Sequence, residues 1–253
     1  MNRSRGRWEF RTAADGDDGR PGGNVGYLVK TFVAERPLLS VVTARVRRPA
    51  LALRGDTDVV IEGYPKSANS FVAHAFAMVQ PRPIRVSHHI HAPGQVIVAA
   101  RRRLPVLVLV RRPVDAAARV AVVRPAISLR LLLRGWVRFY APLLRWRRSF
   151  VVGRFDEVTR DLGSVMVRMN ERFGTRFVPF EHMGDNLAAT FRALEDDWAS
   201  RIAPEDPVFE FHVNRPSAAR AALTEELAER LRGPRYASLR TRAEDLYDTI
   251  TAP

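Results

Sequence analysis

The chain has no cysteine and, among 41 basic residues, only two lysines, Lys30 and Lys66. The first absence excludes a disulfide framework and thiolate metal sites. It suits a reducing compartment, so a cytoplasmic location is expected. The second makes both lysines informative, because where arginine is the default cation a lysine marks a need for a compact point charge on a slim stem. No run reaches the roughly 20 uninterrupted apolar residues needed to span a bilayer. The nearest stretch, 126–150, is broken by Arg130, Arg134, Arg138, Arg145, Arg147 and Arg148. The start, MNRSRGRWEFRTAADGDDGRPGG, has charge but no apolar h-region and is not read as a secretory signal. Acids are also scarce in one place. Between Arg101 and Arg148 thirteen arginines face a single acid, Asp115.

That concentration, within a net charge of +14 over 253 residues, raises the local concentration of anions: nucleotide phosphates, nucleic acid, acidic glycans or a lipid surface. A solvated arginine face accounts equally well for most of these residues, and only a few need touch a ligand. Aromatics at Trp136, Phe139, Tyr140 and Trp146 sit at spacings that suit helix packing better than base stacking, so no specific nucleic acid is expected.

Residues 1–23, rich in Gly, Arg and Asp, read as disordered, and residues 24–253 as one domain. From Asn24 to Arg48 the apolar residues Val25, Leu28, Phe32, Val33, Leu38, Leu39, Val41, Val42 and Val46 suggest two short helices split at Pro37. Packing against the domain's own core is the expectation for them. A helix lying on an anionic membrane is the alternative, which would make the protein peripheral to a membrane. Asp58-Val-Val-Ile-Glu-Gly-Tyr reads as a buried strand, a polar loop follows, and Phe71, Val72, Ala75, Phe76 and Val79 continue at helical spacing. Leu104–Arg111 and Ser149–Phe155 read as further strands, the former apolar without alternation, as a central parallel strand is. Helices are expected from near Asp115, over Gly163–Phe173, near Asn186–Trp198 and over Ser217–Arg232. Alternating strands and helices predict an α/β fold with helices on both faces of a mainly parallel sheet. Ligands in such sheets bind beyond the carboxyl ends of the strands, which brings the loops at 64–70, 111–115 and 154–158 to one rim.

The first loop, Gly63-Tyr-Pro-Lys-Ser-Ala-Asn-Ser-Phe, would aim backbone N–H groups and a helix N-terminus at a phosphate, with Lys66 as a mobile cation. It is not a Walker A loop, lacking the spaced glycines. An N-capped turn with Lys66 in solvent explains the same letters. The second cluster, Ser87-His-His-Ile-His-Ala-Pro, holds three of six histidines, which suggests metal; with no Asp, Glu or Cys nearby in sequence, no metal is assigned. The third is Val110-Arg-Arg-Pro-Val-Asp-Ala-Ala-Ala-Arg119, where a guanidinium could grip a phosphate through paired hydrogen bonds. The fourth, Gly153-Arg-Phe-Asp-Glu-Val, is by itself a strand-to-helix cap.

Together these segments resemble the cytosolic-type sulfotransferases in the family's order, over about residues 56–175. Tyr-Pro-Lys-Ser-Ala-Asn-Ser-Phe is similar to the family's Tyr-Pro-Lys-Ser-Gly-Thr-Thr-Trp loop, with Ala68 for glycine and Asn69 for threonine. His91-Ala-Pro is similar to Thr-His-Leu-Pro, and Arg111, Pro113 and Asp115 match Arg-Asn-Pro-Arg-Asp-Val-Ala-Val-Ser, with Arg119 at the serine. Phe155-Asp-Glu resembles Tyr-Glu-Asp-Leu. The resemblance implies a P-loop-NTPase-like three-layer α/β/α fold and a transferase using 3′-phosphoadenosine 5′-phosphosulfate (PAPS; product PAP). It implies that Pro65, Lys66, Ser67, Ala68, Asn69 and Ser70 hold the 5′-phosphosulfate, and that Arg111 and Arg119 hold the 3′-phosphate. Phe155 would lie near adenine, His91 would be the general base, and His89 would stand in place of a family lysine, or exchange roles with His91. The family's last segment, Arg-Lys-Gly, has no clean counterpart; Arg215 is its candidate. The acceptor would be a hydroxyl of a carbohydrate, lipid or small metabolite. The competing readings are a small-molecule P-loop kinase and a non-catalytic anion- or nucleic-acid-binding module.

Overall fold

The computed structural model describes residues 21–200, 202–203, 205–206, 209 and 218–252. Two helices come first, α1 (Pro21–Glu35) and α2 (Pro37–Arg47). An alternating series follows: β1 (Val59–Gly63), α3 (Asn69–Met78), β2 (Val86–His88), α4 (Pro93–Arg101), β3 (Val106–Val110) and α5 (Pro113–Val123). Next are α6 (Leu129–Tyr140), a 3₁₀ segment (Ala141–Ser149), β4 (Val151–Arg154), the short α7 (Phe155–Val158) and α8 (Leu162–Phe173). The described elements end with α9 (Gly184–Ala199), α10 (Ala218–Arg232), a 3₁₀ turn (Pro234–Tyr236) and α11 (Ala237–Thr251).

The four strands form one parallel sheet in the order β2-β1-β3-β4. All five residues of β1 and of β3 are buried, because helices cover both faces. Val60, Val106, Val108, Val110 and Val152 face a core built with α1, α2, α4, α5, α6, α10 and α11. Their neighbours Val59, Ile61, Leu107, Leu109 and Val151 face a second core with α3, α8 and α9. The α/β fold in three layers is as the strand pattern requires. The chain steps from β1 outward to β2, then returns past β1 to β3. The reversal opens a crevice between the carboxyl ends of β1 and β3, the place where such sheets bind ligands.

Two details differ from the sequence expectation. Helix α1 starts at Pro21, inside the stretch read as disordered, because proline's fixed φ suits a first helical turn and Gly23 lets the helix approach the backbone of Ala126. Residues 1–20 lie outside the described residues. The second difference is larger. Of the nine apolar residues of α1 and α2 expected in the core, only Val41 is buried; Val25, Leu28, Phe32, Leu38, Leu39, Val42 and Val46 are exposed. The positions turned inward are Ser40, Val41 and Ala44, and Gly94 of α4 packs so closely on Ser40 that a side chain there would collide with its hydroxyl.

Candidate active site

The loop after β1 is tied down by tyrosines. The Tyr64 N–H donates to the Tyr140 hydroxyl at 3.0 Å, and that hydroxyl donates to the Leu109 carbonyl at 2.6 Å. The Tyr64 hydroxyl donates to the Leu132 carbonyl at 2.9 Å and therefore accepts from Tyr27, 3.1 Å away. Burial keeps all three phenols protonated by pushing their pKa values up. Helices α1 and α6 and strand β3 are thus all fastened to the start of the loop. Gly63 has no room for a side chain, since a Cβ there would sit 2.5 Å from the Leu109 carbonyl oxygen.

Beyond Tyr64 the backbone twists into an unusual shape. Lys66 and Ala68 have φ of 67° and 69°, and His89 and His91, on the neighbouring turn after β2, have 59° and 54°. Only one other non-glycine among the described residues, Arg103, has positive φ. Such conformations cost about 1–2 kcal/mol each and gather where function over-determines the chain. Ala68 is also the N-cap of α3, and no side chain caps that helix end. A kinked loop opening onto an uncapped helix start is a ready anion cradle.

Arg111, at the end of β3, reaches across the crevice. Its Nη1 donates to the Lys66 carbonyl at 3.1 Å, and its guanidinium stacks 4.1 Å from the centre of the Phe155 ring, at the end of β4. The Trp136 indole N–H holds the Arg111 carbonyl at 3.1 Å. The ends of β1, β3 and β4 therefore meet at one point, joined through a single arginine. Asp156 and Glu157 do not join them. They form ion pairs with Arg154, Arg160 and Arg168 and serve the local structure.

The field at this point is strongly positive. Burial lowers the Lys66 pKa to about 7, helped by Arg119, Arg220, Arg124 and Arg111 in that order. Arg119 carries a buried Nη1 with no hydrogen-bond partner. Arg220, in the first turn of α10, is only 2% exposed. Buried cations gathered on one lysine, with an orphaned guanidinium N–H beside them, fit a bound polyanion. Arg215 lies outside the described residues. The sequence reading did not assign Arg220: it chose Arg215, five residues earlier, as the candidate cation of this segment.

The histidine turn is held by Glu62 in the strand itself. Its two carboxylate oxygens accept the N–H groups of Ile90 and His91, each at 2.9 Å. Burial raises its pKa to about 8, opposed by those N–H groups, by Gly63 and by Lys30. The His91 Nδ1 lies 2.8 Å from the Gly63 carbonyl. A carbonyl can only accept, so Nδ1 carries the proton and Nε2 keeps its lone pair. Burial, with Lys30 adding to it, lowers the His91 pKa to about 3, so the ring is neutral. It lines a narrow cleft, open to solvent and with a volume of only about 30 Å³, together with Lys30, Pro65, Phe139 and Arg138. His89 points elsewhere: its Nε2 is 2.7 Å from Ser70 Oγ in the anion loop, and its Nδ1 meets that of His88. The histidine facing the cleft and the histidine touching the loop are therefore separate.

No family model and no curated protein matches this sequence. Among solved structures it is similar to a mouse sulfotransferase. That protein, SULT7A1 complexed with PAP, shares 14% identity over 76% of this chain and 90% of its own, with a TM-score of 0.40. The site is accordingly read from its own residues.

Proposed function

We propose that the chain is a sulfotransferase that moves a sulfuryl group from PAPS to an acceptor hydroxyl. The observation that carries this is the bond from Arg111 to the Lys66 carbonyl, which brings the two family-like phosphate motifs into contact. A nucleotide phosphorylated at two separate positions needs them that close. The orphaned Arg119 N–H and the uncapped start of α3 are the donors such a ligand would complete.

In this reading the loop N–H groups, Lys66, Ser67, Asn69 and Ser70 bind the 5′-phosphosulfate. Arg119 and Arg220 take the 3′-phosphate, and Phe155 borders the adenine. When bound, the donor supplies the sulfuryl group, its sulfur–oxygen bond to the 5′-phosphate breaking as the acceptor oxygen bonds to sulfur. His91 Nε2 takes the proton of the acceptor hydroxyl, its tautomer fixed by Gly63 and its place by Glu62. Lys66 and the loop amides neutralise charge growing on the leaving side, where preorganised donors are most effective. The acceptor enters by the cleft between α1, α6 and the His91 turn.

Thermal denaturation with candidate ligands tests the reading. Saturating PAP should raise Tm by roughly 5–10 °C, and ATP should not. Stabilisation by ATP with magnesium but not by PAP would favour a kinase. Stabilisation only by polyanions, lost in salt, would favour a binding module. Transfer from sulfur-labelled donor to an extract of the host's metabolites then identifies the acceptor.

A further inference from the structure

We infer that the α1–α2 hairpin docks the protein on an anionic lipid bilayer. Among the described residues twelve large apolar side chains are exposed, and eight belong to this hairpin. Leu38 and Val46 each keep 77% of their surface in solvent. At 100° per residue, Val25, Leu28, Val29 and Phe32 fall within one arc of α1, and Leu38, Leu39, Val42 and Val46 within one arc of α2. The inward side of α2 is Ser40, Val41 and Ala44, so the larger apolar groups face out. The hydrophobic effect alone would reverse that arrangement.

Charge says what covers the face. Apart from Lys30, which lines the His91 cleft, residues 21–55 contain five cations, Arg36, Arg45, Arg47, Arg48 and Arg54, against one acid, Glu35. That acid is already held by Arg138, with one of the two bonds at 2.8 Å. Arg36 lies over the Phe32 ring, 3.3 Å from its centre, an apolar body with a charged tip of the kind that sits at a headgroup boundary. A second copy of the chain would set like charges against each other across the contact, whereas anionic headgroups complement them. With 15 and 11 residues, and a break at Pro37, neither helix can cross the bilayer; both can lie in its surface.

The opposite side of α1 carries Tyr27, Lys30, Thr31 and Ala34, which line the His91 cleft. One helix thus separates the docking face from the cleft. If the sulfotransferase reading holds, on which this step alone rests, the acceptor is a hydroxyl-bearing lipid headgroup delivered at the membrane surface.

Flotation of the full chain with vesicles tests the docking without turnover or nucleotide. Binding to phosphatidylcholine vesicles containing phosphatidylglycerol, weakening in salt, is expected. The doubly substituted Val29→Asp/Leu38→Asp protein should lose at least about tenfold in partitioning. Arg36→Gln/Arg47→Gln should lose up to about fivefold for each cation removed. Both variants should keep the wild-type circular dichroism and response to PAP, which shows them folded. Wild-type protein that stays unbound, or that floats equally with pure phosphatidylcholine, overturns the proposal. So does a dimer in light scattering that Val29→Asp/Leu38→Asp converts to monomer. A failed PAP response with flotation intact would sink the enzyme reading and leave the docking face standing.

Discussion

The strand-end rim and the α1–α2 hairpin both invert the usual sorting of residues, in opposite senses. At the rim, cations are taken out of water around Lys66, Arg119 and Arg220. On the hairpin, leucines, valines and a phenylalanine are left in it. Either departure costs stability in the isolated chain, and a chain keeps such departures where a partner completes them. In the proposed readings a small polyanion completes the rim and an anionic surface the hairpin. The two should therefore come apart under mutation, with rim substitutions changing nucleotide chemistry and not vesicle binding, and hairpin substitutions doing the reverse.

The largest effect belongs to the chemistry of the rim. His91→Ala should reduce kcat by about 10²–10⁴-fold while PAP still shifts Tm, because the base acts on the acceptor side. Full activity in that variant would move the base to His89 or His88. Since burial holds the His91 pKa at about 3, the acid limb of the kcat/KM profile should lie well below the ordinary histidine range. An inflection near pH 6.5 would break the assignment. Lys66→Ala should be as severe, through loss of leaving-group stabilisation.

Arg119→Met separates a binding cation from a structural one. It removes a buried N–H that has no partner and relieves repulsion with Arg220 and Arg111. The free protein should be stabilised by about 1 kcal/mol, while PAP binding weakens by roughly 10–100-fold. A loss of stability in the free protein would mean that Arg119 supports the fold. At Glu62 the expectation has the other sign. Glu62→Gln can accept only one of the two N–H groups of Ile90 and His91, and its own amide donor then faces the second. Above about pH 8, where Glu62 is ionised, a loss of about 1–3 kcal/mol and a lower kcat should appear together, with little change in the affinity for PAP.

A smaller effect links the rim to pH. Free Lys66 titrates near pH 7, because burial and four arginines disfavour its charge. A bound anion restores the charge and raises that pKa, so binding takes up protons at and above pH 7. PAP affinity should fall as pH rises through this window, and calorimetry in buffers of different ionisation enthalpy should register the uptake. Vesicle binding depends on arginines, which stay charged throughout, and should be flat over the same range.

How much of this could be read from letters follows from the same contrast. Strands β1, β3 and β4 announce themselves as short β-branched runs, and the loops after them lie together because a parallel sheet puts them there. Strand β2 does not: its three residues, Val86, Ser87 and His88, lie at a sheet edge with no apolar run to mark them. Helix α4, PGQVIVAAR, carries β-formers yet is helical, since tertiary burial overrides propensity. Helix α11 mixes charge through its length and buries only Ala243, Leu246, Tyr247 and Ile250. Arg220 was hidden because a helical wheel shows where a side chain points, not what other helices bring beside it. The hairpin shows the same limit. Its apolar stripe was legible, and its periodicity could not tell whether protein or another apolar phase covers it.

The smallest test is at Ala68, one of the departures from the sulfotransferase loop that this segment resembles. Ala68 holds φ at 69°, a conformation costing an L-residue about 1–2 kcal/mol, which glycine adopts freely. Glycine in turn loses about 0.5–1 kcal/mol through the freer unfolded chain. Ala68→Gly should therefore stabilise the protein by about 0.5 kcal/mol, a rise of one or two degrees in Tm, and leave kcat within about twofold. If the loop instead relies on the Ala68 methyl group packed against the α3–α8 core, the substitution lowers Tm, and the strain at this corner is then a feature the fold uses to hold Lys66 in place.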